Sequence, residues 1–429
     1  MIDVIESLAE ILNSKNVEWE IYWESGRSGS FRIEREALER SQRKFYSGIS
    51  LRVGLNGKLG FSYITGIHHS LSELEKFVER TMKLAKVSEV PFRGFPVPSK
   101  VPGVKGIYDR RIEEIPFEDA HALALQYAEK MRELKGKETL SGSISLAFER
   151  YGVVNSNGVE LEASSTYMGV STYAVREDRP GNGSFYQSYR SLQGVEALEE
   201  AILKAKEDAE LSARARKVEP YDGELVLEPE AVMSVVEVLL ENFYGDEVYY
   251  GRSRFFTLGE PVASDAFTLV DDSTLEGLPG SYPFDGEGTP GQRSYLIENG
   301  ILKGFLLDHT YAALLGLKST GNAVRSFRTT PSIGASNLVV EPGEESLEDF
   351  EGVIIKSVFG EHTANPVSGD FSLPVGLGYV VKNGEVIPFK DNMLVGNVFD
   401  LLKTAEPGRV VKRISSFMAP RVKVHAKIV

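Results

Sequence analysis

Alternating apolar and polar runs interrupted by Asn-Gly pairs recur along this chain. The pair stands at Asn56-Gly57 in ISLRVGLNGKLGFSYI and at Asn157-Gly158 in YGVVNSNGVELEASSTYMGVSTYAV. It returns at Asn299-Gly300 and at Asn383-Gly384 in LGYVVKNGEVIPF. A two-residue turn needs positive φ at both central positions, which Asn and Gly tolerate, so each pair predicts an antiparallel hairpin. Helical stripes punctuate the strands. Residues 2–13 put Ile5, Leu8 and Leu12 on one face. Residues 71–87 follow a capping box, Ser70 to Glu73, and turn Leu74, Phe77, Val78 and Ala85 inward. A helix over 116–135 begins at Pro116 and buries Ala120, Leu123, Tyr127, Met131 and Leu134. Another, from about Val195 to Ala213, buries Leu198, Ile202, Ala205 and Ala209. A fifth starts at Pro229 and presents Val232, Val235, Val236, Leu239 and Phe243 to a core. The fold class is α+β, with antiparallel or mixed sheets rich in Asn-Gly hairpins and flanked by helices.

Proline and glycine clusters divide the chain. PFRGFPVPSKVPGVKG (91–106) reads as a linker, and ARKVEPYDGELVLEPE (215–230) as the entry to a last domain. The expected units are an N-terminal α/β domain over 1–100, a central α+β domain over 107–216 and a β-rich C-terminal domain over 222–429. The middle segment echoes the first loosely, each having a helix and a hairpin, without being a sequence repeat.

Composition narrows the function. The 429 residues are 42% hydrophobic and 26% charged, normal for a chain that buries a large core. No run of 18 apolar residues suggests a membrane span. The opening MIDVIESLAEIL carries Asp3 and Glu6 where a secretory signal is basic, so a cytoplasmic protein is expected. A formal charge of −14 argues against a general binder of nucleic acid or anionic membrane. The absence of cysteine excludes disulfides, thiol nucleophiles and Cys-ligated metal.

Candidate chemistry is sparse. The glycine-rich stretch GSYPFDGEGTPGQRSYLIENGILKGFLLDH (280–309) lacks the G-x-x-x-x-G-K-[ST] fingerprint and carries Asp285 and Glu287 where phosphate needs amides and a lysine. Phosphate is disfavoured on charge. Among the histidines, His68, His69 and His121 are expected in solvent and His425 on a terminal strand. His309 and His362 lie near Asp308 and Glu361, but no H-E-x-x-H is present. No G-x-S-x-G elbow offers a serine nucleophile. Asp285, Glu287 and Asp370 sit on glycine-rich loops and could serve as paired carboxylates. Turn formation and solvent exposure is the more ordinary expectation for them.

The block FDGEGTPGQRSYLIENGILKGFLLDHTYAALLGLKSTGNAVRS (284–326) resembles the TldD/TldE (PmbA) family. In that family a D-E-G-T-P-x-Q loop leads into an L-I-E-N-G-x-L-K-G hairpin and a later T-G-N. The likeness continues through PSIGASNLVV (331–340), VSGDFSLPVGLGYVVKNGEV (367–386) and the early SGISLRVGLNGKLGFSY, so it spans most of the chain. The resemblance implies two kinds of subunit. TldD-like subunits carry H-E-x-x-x-H on a helix of the last domain and a cysteine near the C-terminus, which together hold the metal of a peptidase. TldE-like subunits share the fold, lack those ligands and pair with the TldD kind. In EPEAVMSVVEVLLENFYGDEV, aligning Gly245-Asp246 with the family's Gly-Asp puts Val236 and Glu241 at the histidine positions and Glu237 at the glutamate. Valine offers no lone pair, and a catalytic zinc needs three protein ligands. The resemblance therefore implies a TldE-like subunit with no metal or cofactor of its own.

Three functions follow as expectations. The first is a non-catalytic subunit of a cytoplasmic metallopeptidase complex, paired with a TldD-like partner as a heterodimer or larger assembly and acting on small or unfolded peptides. The second is a stand-alone hydrolase using loop carboxylates. The third is a binding or modulatory homodimer, since the family has also been named for gyrase modulation. Candidate residues of a substrate cleft are Glu237, Glu241, Asp285, Glu287, Gly288 and Arg293. The loop glycines would let an extended peptide approach backbone closely.

Overall fold

The computed structural model describes residues 2–66 and 68–429. The chain begins with α1 (Ile2–Asn13), three strands β1 (Glu18–Glu34), β2 (Ala37–Leu55) and β3 (Lys58–Thr65), and α2 (Leu71–Val87). After a short α3 (Arg110–Glu114) the order repeats: α4 (Phe117–Leu134), β4 (Glu138–Asn155), β5 (Glu160–Arg176), β6 (Asn182–Tyr189) and α5 (Leu198–Arg214). All six strands belong to one antiparallel sheet, ordered β3-β2-β1-β4-β5-β6. Its middle seam joins β1 to β4, from Glu20 opposite Asn155 to Ile33 opposite Gly142. Strands from 1–100 and from 107–216 are thus hydrogen-bonded into a continuous layer.

Strand alternation gives this sheet two different faces. One buries Trp19, Ile21, Ile49 and Leu51 against α1 and α2, and Phe31, Ile144 and Val170 against α4 and α5. The opposite face carries Glu20, Tyr22, Ser50, Arg52 and Val153, all buried. Helix α2 starts at Ser70, whose hydroxyl accepts from the Glu73 amide while the Glu73 carboxylate accepts from the Ser70 amide, completing the expected capping box.

The last part of the chain opens with β7 (Tyr221–Leu227) and α6 (Pro229–Leu240), followed by β8 (Leu269–Asp272), β9 (Arg293–Glu298) and β10 (Ile301–Leu302). Strand β7 lies in a mixed seven-stranded sheet, parallel to strand 352–358 and antiparallel to 422–428. Strands β8 to β10 form a second mixed sheet with 338–340, 412–414 and 417–419. Helix α6 packs against strand 352–358 of the first sheet and 417–419 of the second. Val232, Val235, Val236, Leu239 and Phe243 are buried in that core. Among the described residues no helix is long and apolar enough to cross a membrane.

Three Asn-Gly pairs make two-residue turns with φ of 51° and 74° at Asn56-Gly57, and 49° and 75° at both Asn299-Gly300 and Asn383-Gly384. The fourth differs. Only Gly158 has positive φ (92°), and the β4–β5 connection is a longer loop in which the Asn155 side chain accepts from the amides of Asn157 and Val159. The β1–β2 hairpin turns instead on Arg35-Glu36, with φ of 50° and 57° and no glycine. It is held because the buried Glu36 carboxylate accepts from the Leu140 amide at 2.6 Å and pairs with Lys135 at 3.2 Å.

Candidate functional site

The glycine-rich loop descends onto the polar face of the six-stranded sheet. Asp285 is 3% exposed and Glu287 1%, so the expectation that they face solvent is corrected. Asp285 Oδ1 accepts from the amides of Glu287 and Thr289, both at 2.9 Å, and Oδ2 from that of Ala323 at 3.0 Å. Its neighbour Gly286 donates to the Ala323 carbonyl at 2.7 Å. The D-G-E-G loop is therefore hydrogen-bonded in both directions to Ala323, directly after the T-G-N stretch, in one knot.

Glu287 reaches out of the knot to the sheet. Its Oε1 lies 2.8 Å from Arg52 Nη2, and its Oε2 accepts from the His309 amide at 2.8 Å. Arg52 also grips Glu20, with Nε 2.8 Å from Oε1 and Nη2 2.5 Å from Oε2. From the knot side, Arg325 Nη1 meets Glu20 Oε1 at 2.5 Å and Nη2 meets Ser50 Oγ at 2.8 Å, with the guanidinium 4.6 Å from the Tyr22 ring centroid. These side chains make an ion-pair chain, Glu287–Arg52–Glu20–Arg325, that crosses twice between the loop and the sheet. Around it Phe284 and Phe327 pack on Tyr22, Val153 and Val159. A Cβ at Gly288, where φ is +83°, would stand 2.9 Å from Val159 Cγ1.

The electrostatics follow from this crowding. Burial opposes ionisation of Glu287, but the Arg52 charge and the His309 amide outweigh it and hold the carboxyl below its ordinary value. Asp285 is pushed the other way, to about 8, by burial and then by the Glu287 charge. Asp308, which caps a short helix by accepting from the Tyr311 amide at 2.7 Å, rises to about 7 for the same two reasons. Arg293 is occupied elsewhere, pairing with Asp272 at 3.1 Å and with the Glu341 carboxylate. Asp370 lies exposed at a strand start, accepting from Asn397 at 2.9 Å.

Glu237 and Glu241 form a separate place. They project from the end of α6 into a hollow shared with Glu361, His362 and Pro366. His362 Nε2 is 3.1 Å from Glu361 Oε1. Partial burial, then the Glu361 charge, raises the Glu237 carboxyl. Ser234 on the same helix is buried, its hydroxyl directed to the Glu230 carbonyl.

The comparisons fit this architecture part by part. Models of the PmbA/TldA metallopeptidase match at residues 19–85 (domain 1), 110–218 (central domain) and 221–428 (C-terminal domain). An uncharacterized protein of Methanocaldococcus jannaschii is 30% identical over 431 residues, covering 99% of both chains. The chain belongs to the PmbA/TldD family. A metalloprotease of the same organism is 27% identical over 395 residues, covering 88% of this chain and 86% of its own. TldE from Thermococcus kodakarensis has the same fold, with a TM-score of 0.87 at 22% identity over 99% of this chain and 100% of that one.

A PmbA/TldD metallopeptidase implies a metal, and the residues of α6 do not fit one. Val236, which the resemblance sets at the first motif position, is 2% exposed and packed into the core. Among the described residues no three His, Asp or Glu side chains are arranged to hold a cation. The histidines also depart from expectation. His121 is half-buried, 3.0 Å from Ser41 Oγ and edge-on to Phe31, and His69 is half-buried rather than solvated. His309 acts through its backbone amide. Sequence reasoning missed Glu20, Arg52 and Arg325. Their one signal is charge placed in the alternation of a strand, as in EWEIYWE.

Proposed function

We propose that this chain is the metal-free, TldE-like subunit of a cytoplasmic PmbA/TldD-type metallopeptidase complex that acts on small or unfolded peptides. The observation that carries this reading is Val236: a buried apolar side chain occupies the position where the resemblance calls for a metal-ligating histidine. The lack of any cysteine supports it. In the assembly a TldD-like partner supplies metal, base and water. This subunit supplies walls of the chamber, with Glu237 and Glu241 at its cleft and no nucleic acid or membrane involved. The burial and internal bonding of Asp285 and Glu287 speak against a stand-alone hydrolase built on them, because neither carboxylate reaches solvent.

The test is to purify the chain alone and together with a TldD-like subunit of the same source, then measure bound zinc and peptide cleavage. Cleavage should need the partner, and zinc-reloaded chain alone should hold less than a stoichiometric amount. One tight zinc per isolated chain, lost on Glu237→Ala or Glu241→Ala, overturns the reading, as does cleavage by the isolated chain.

A further inference from the structure

Beyond the contact with the glycine-rich loop, the six-stranded sheet has one bare face. The helices of this half, α4 and α5, pack on the side of Phe31, Ile144 and Val170. On the other side a row of paired residues crosses five strands in register: Arg40 on β2, Arg32 on β1, Ser143 on β4, Ser171 on β5 and Tyr186 on β6. The rows beside it add Ser30 with Ser145, then Ser28 with Ala147. The face is thus small at its centre and basic along one flank, with Arg32, Arg40 and Lys44. Its other flank is aromatic and apolar, where Tyr173, Val175 and Tyr186 are 46%, 40% and 53% exposed. We propose that this face binds a second copy of the chain, about a two-fold axis running along β4.

Three observations carry it. Charge is missing where an ordinary surface would have it. In a chain that is 26% charged, the centre of this face carries only Ser, Ala and Gly, and loss of charge at the centre of a patch with tyrosine beside it marks an interface. Next, the face complements itself. A two-fold axis along β4 turns two faces together and exchanges their flanks, so the cations of each copy meet the tyrosines of the other. An axis across the strands would instead set cation on cation. Arg32 is held by Glu34 and Glu39, both at 3.2 Å, which leaves Arg40 and Lys44, with no carboxylate within ion-pair distance among the described residues, to reach across. Finally, the area suffices. Five strands span about 24 Å and residues 139–147 about 30 Å, so a pair of faces covers about 1,400 Å², inside the range of about 1,200–2,000 Å² for a specific interface. The serines let the two sheets close to the usual spacing of about 10 Å without a clash. The inference concerns the chain alone and stands whether or not the subunit assignment holds.

Sedimentation equilibrium on the full chain decides it. The native chain should be a dimer at micromolar concentration. Ser143→Arg and Ser143→Glu each set two like charges across the axis and should weaken association a hundredfold or more, with circular dichroism unchanged. An equimolar mixture of the two variants should dimerise as the native chain does. Tyr186→Ser, at an exposed edge position, gives a second reading, with a tenfold loss expected. Ser72→Arg, exposed on α2, should change nothing. A native chain that stays monomeric at a hundred micromolar overturns the proposal, even where a TldD-like subunit then binds it. So does undiminished association of the Ser143 or Tyr186 variants, or a mixture that stays monomeric.

Discussion

Replacing Arg52 with methionine removes the centre of the ion-pair chain while keeping a long apolar stem. Three close contacts vanish, at 2.8 and 2.5 Å to Glu20 and 2.8 Å to Glu287. Glu20 keeps Arg325 at 2.5 Å, whereas Glu287 keeps only the His309 amide at 2.8 Å. The uncompensated charge therefore falls on Glu287, and breaking a buried pair from one side costs about 3–5 kcal/mol. The pH dependence should invert as well. In the native chain the depressed Glu287 carboxyl contributes stability that is present above about pH 4.3 and lost as pH falls through its folded value. Without Arg52, burial dominates and its pKa rises above that of the unfolded chain, so the variant loses stability as pH climbs from about 4 toward 7. Urea unfolding followed by tryptophan fluorescence is the assay, because both tryptophans, Trp19 and Trp23, lie on β1 beside Glu20. Adding Glu287→Gln to Arg52→Met should restore about 1–3 kcal/mol at pH 7, the range for residues in direct contact. A loss below about 1 kcal/mol in the single variant, or a double variant weaker than the single, would refute the reasoning.

Two further outcomes follow from the same loop. Gly288→Val should destabilise by about 2–4 kcal/mol, adding a Cβ at φ +83° and 2.9 Å from Val159, while Gly384→Val, at φ +75° with open space around it, should cost about 1–2 kcal/mol; equal thermal shifts would show that packing on the sheet contributes nothing. Asp308→Asn keeps a helix cap and removes a carboxyl raised to about 7. An acid with a raised folded pKa withdraws stability as pH rises from its unfolded value, near 4, through its folded one. The variant should therefore gain on the native chain as pH rises from about 4 to about 7, by a few kcal/mol at most, and a flat difference across that range would contradict the assignment.

Helices were legible because each buries a stripe whose spacing survives in the sequence, as Leu74, Phe77, Val78 and Ala85 do on α2. Hairpins were legible at every Asn-Gly pair, but at Asn157 the hairpin joining β4 to β5 lacks the two-residue turn, because side-chain bonds from Asn155 shape a longer loop. The loop carboxylates were misread for a different reason. Acid between glycines is ordinarily solvated, and what buries Asp285 and Glu287 comes from Arg52 and Ala323, distant in sequence and fixed by register. That register was out of reach because the β1–β2 hairpin turns on Arg35-Glu36, which carries no turn signature and is held by Leu140 and Lys135 from beyond the linker.

The seam between β1 and β4 also governs how the chain must be made. Strand β1 finds β2 at once, across a two-residue turn, but its other edge stays bare until residues 142–155 leave the ribosome. Synthesis at about 5–20 residues per second leaves that edge open for on the order of ten seconds, with Trp19, Ile21 and Trp23 on the same strand. An unpaired strand edge is a template for pairing with other chains. Slowing translation between residues 100 and 155 should therefore raise aggregation of nascent chains, and supplying the segment 107–216 in trans should lower it.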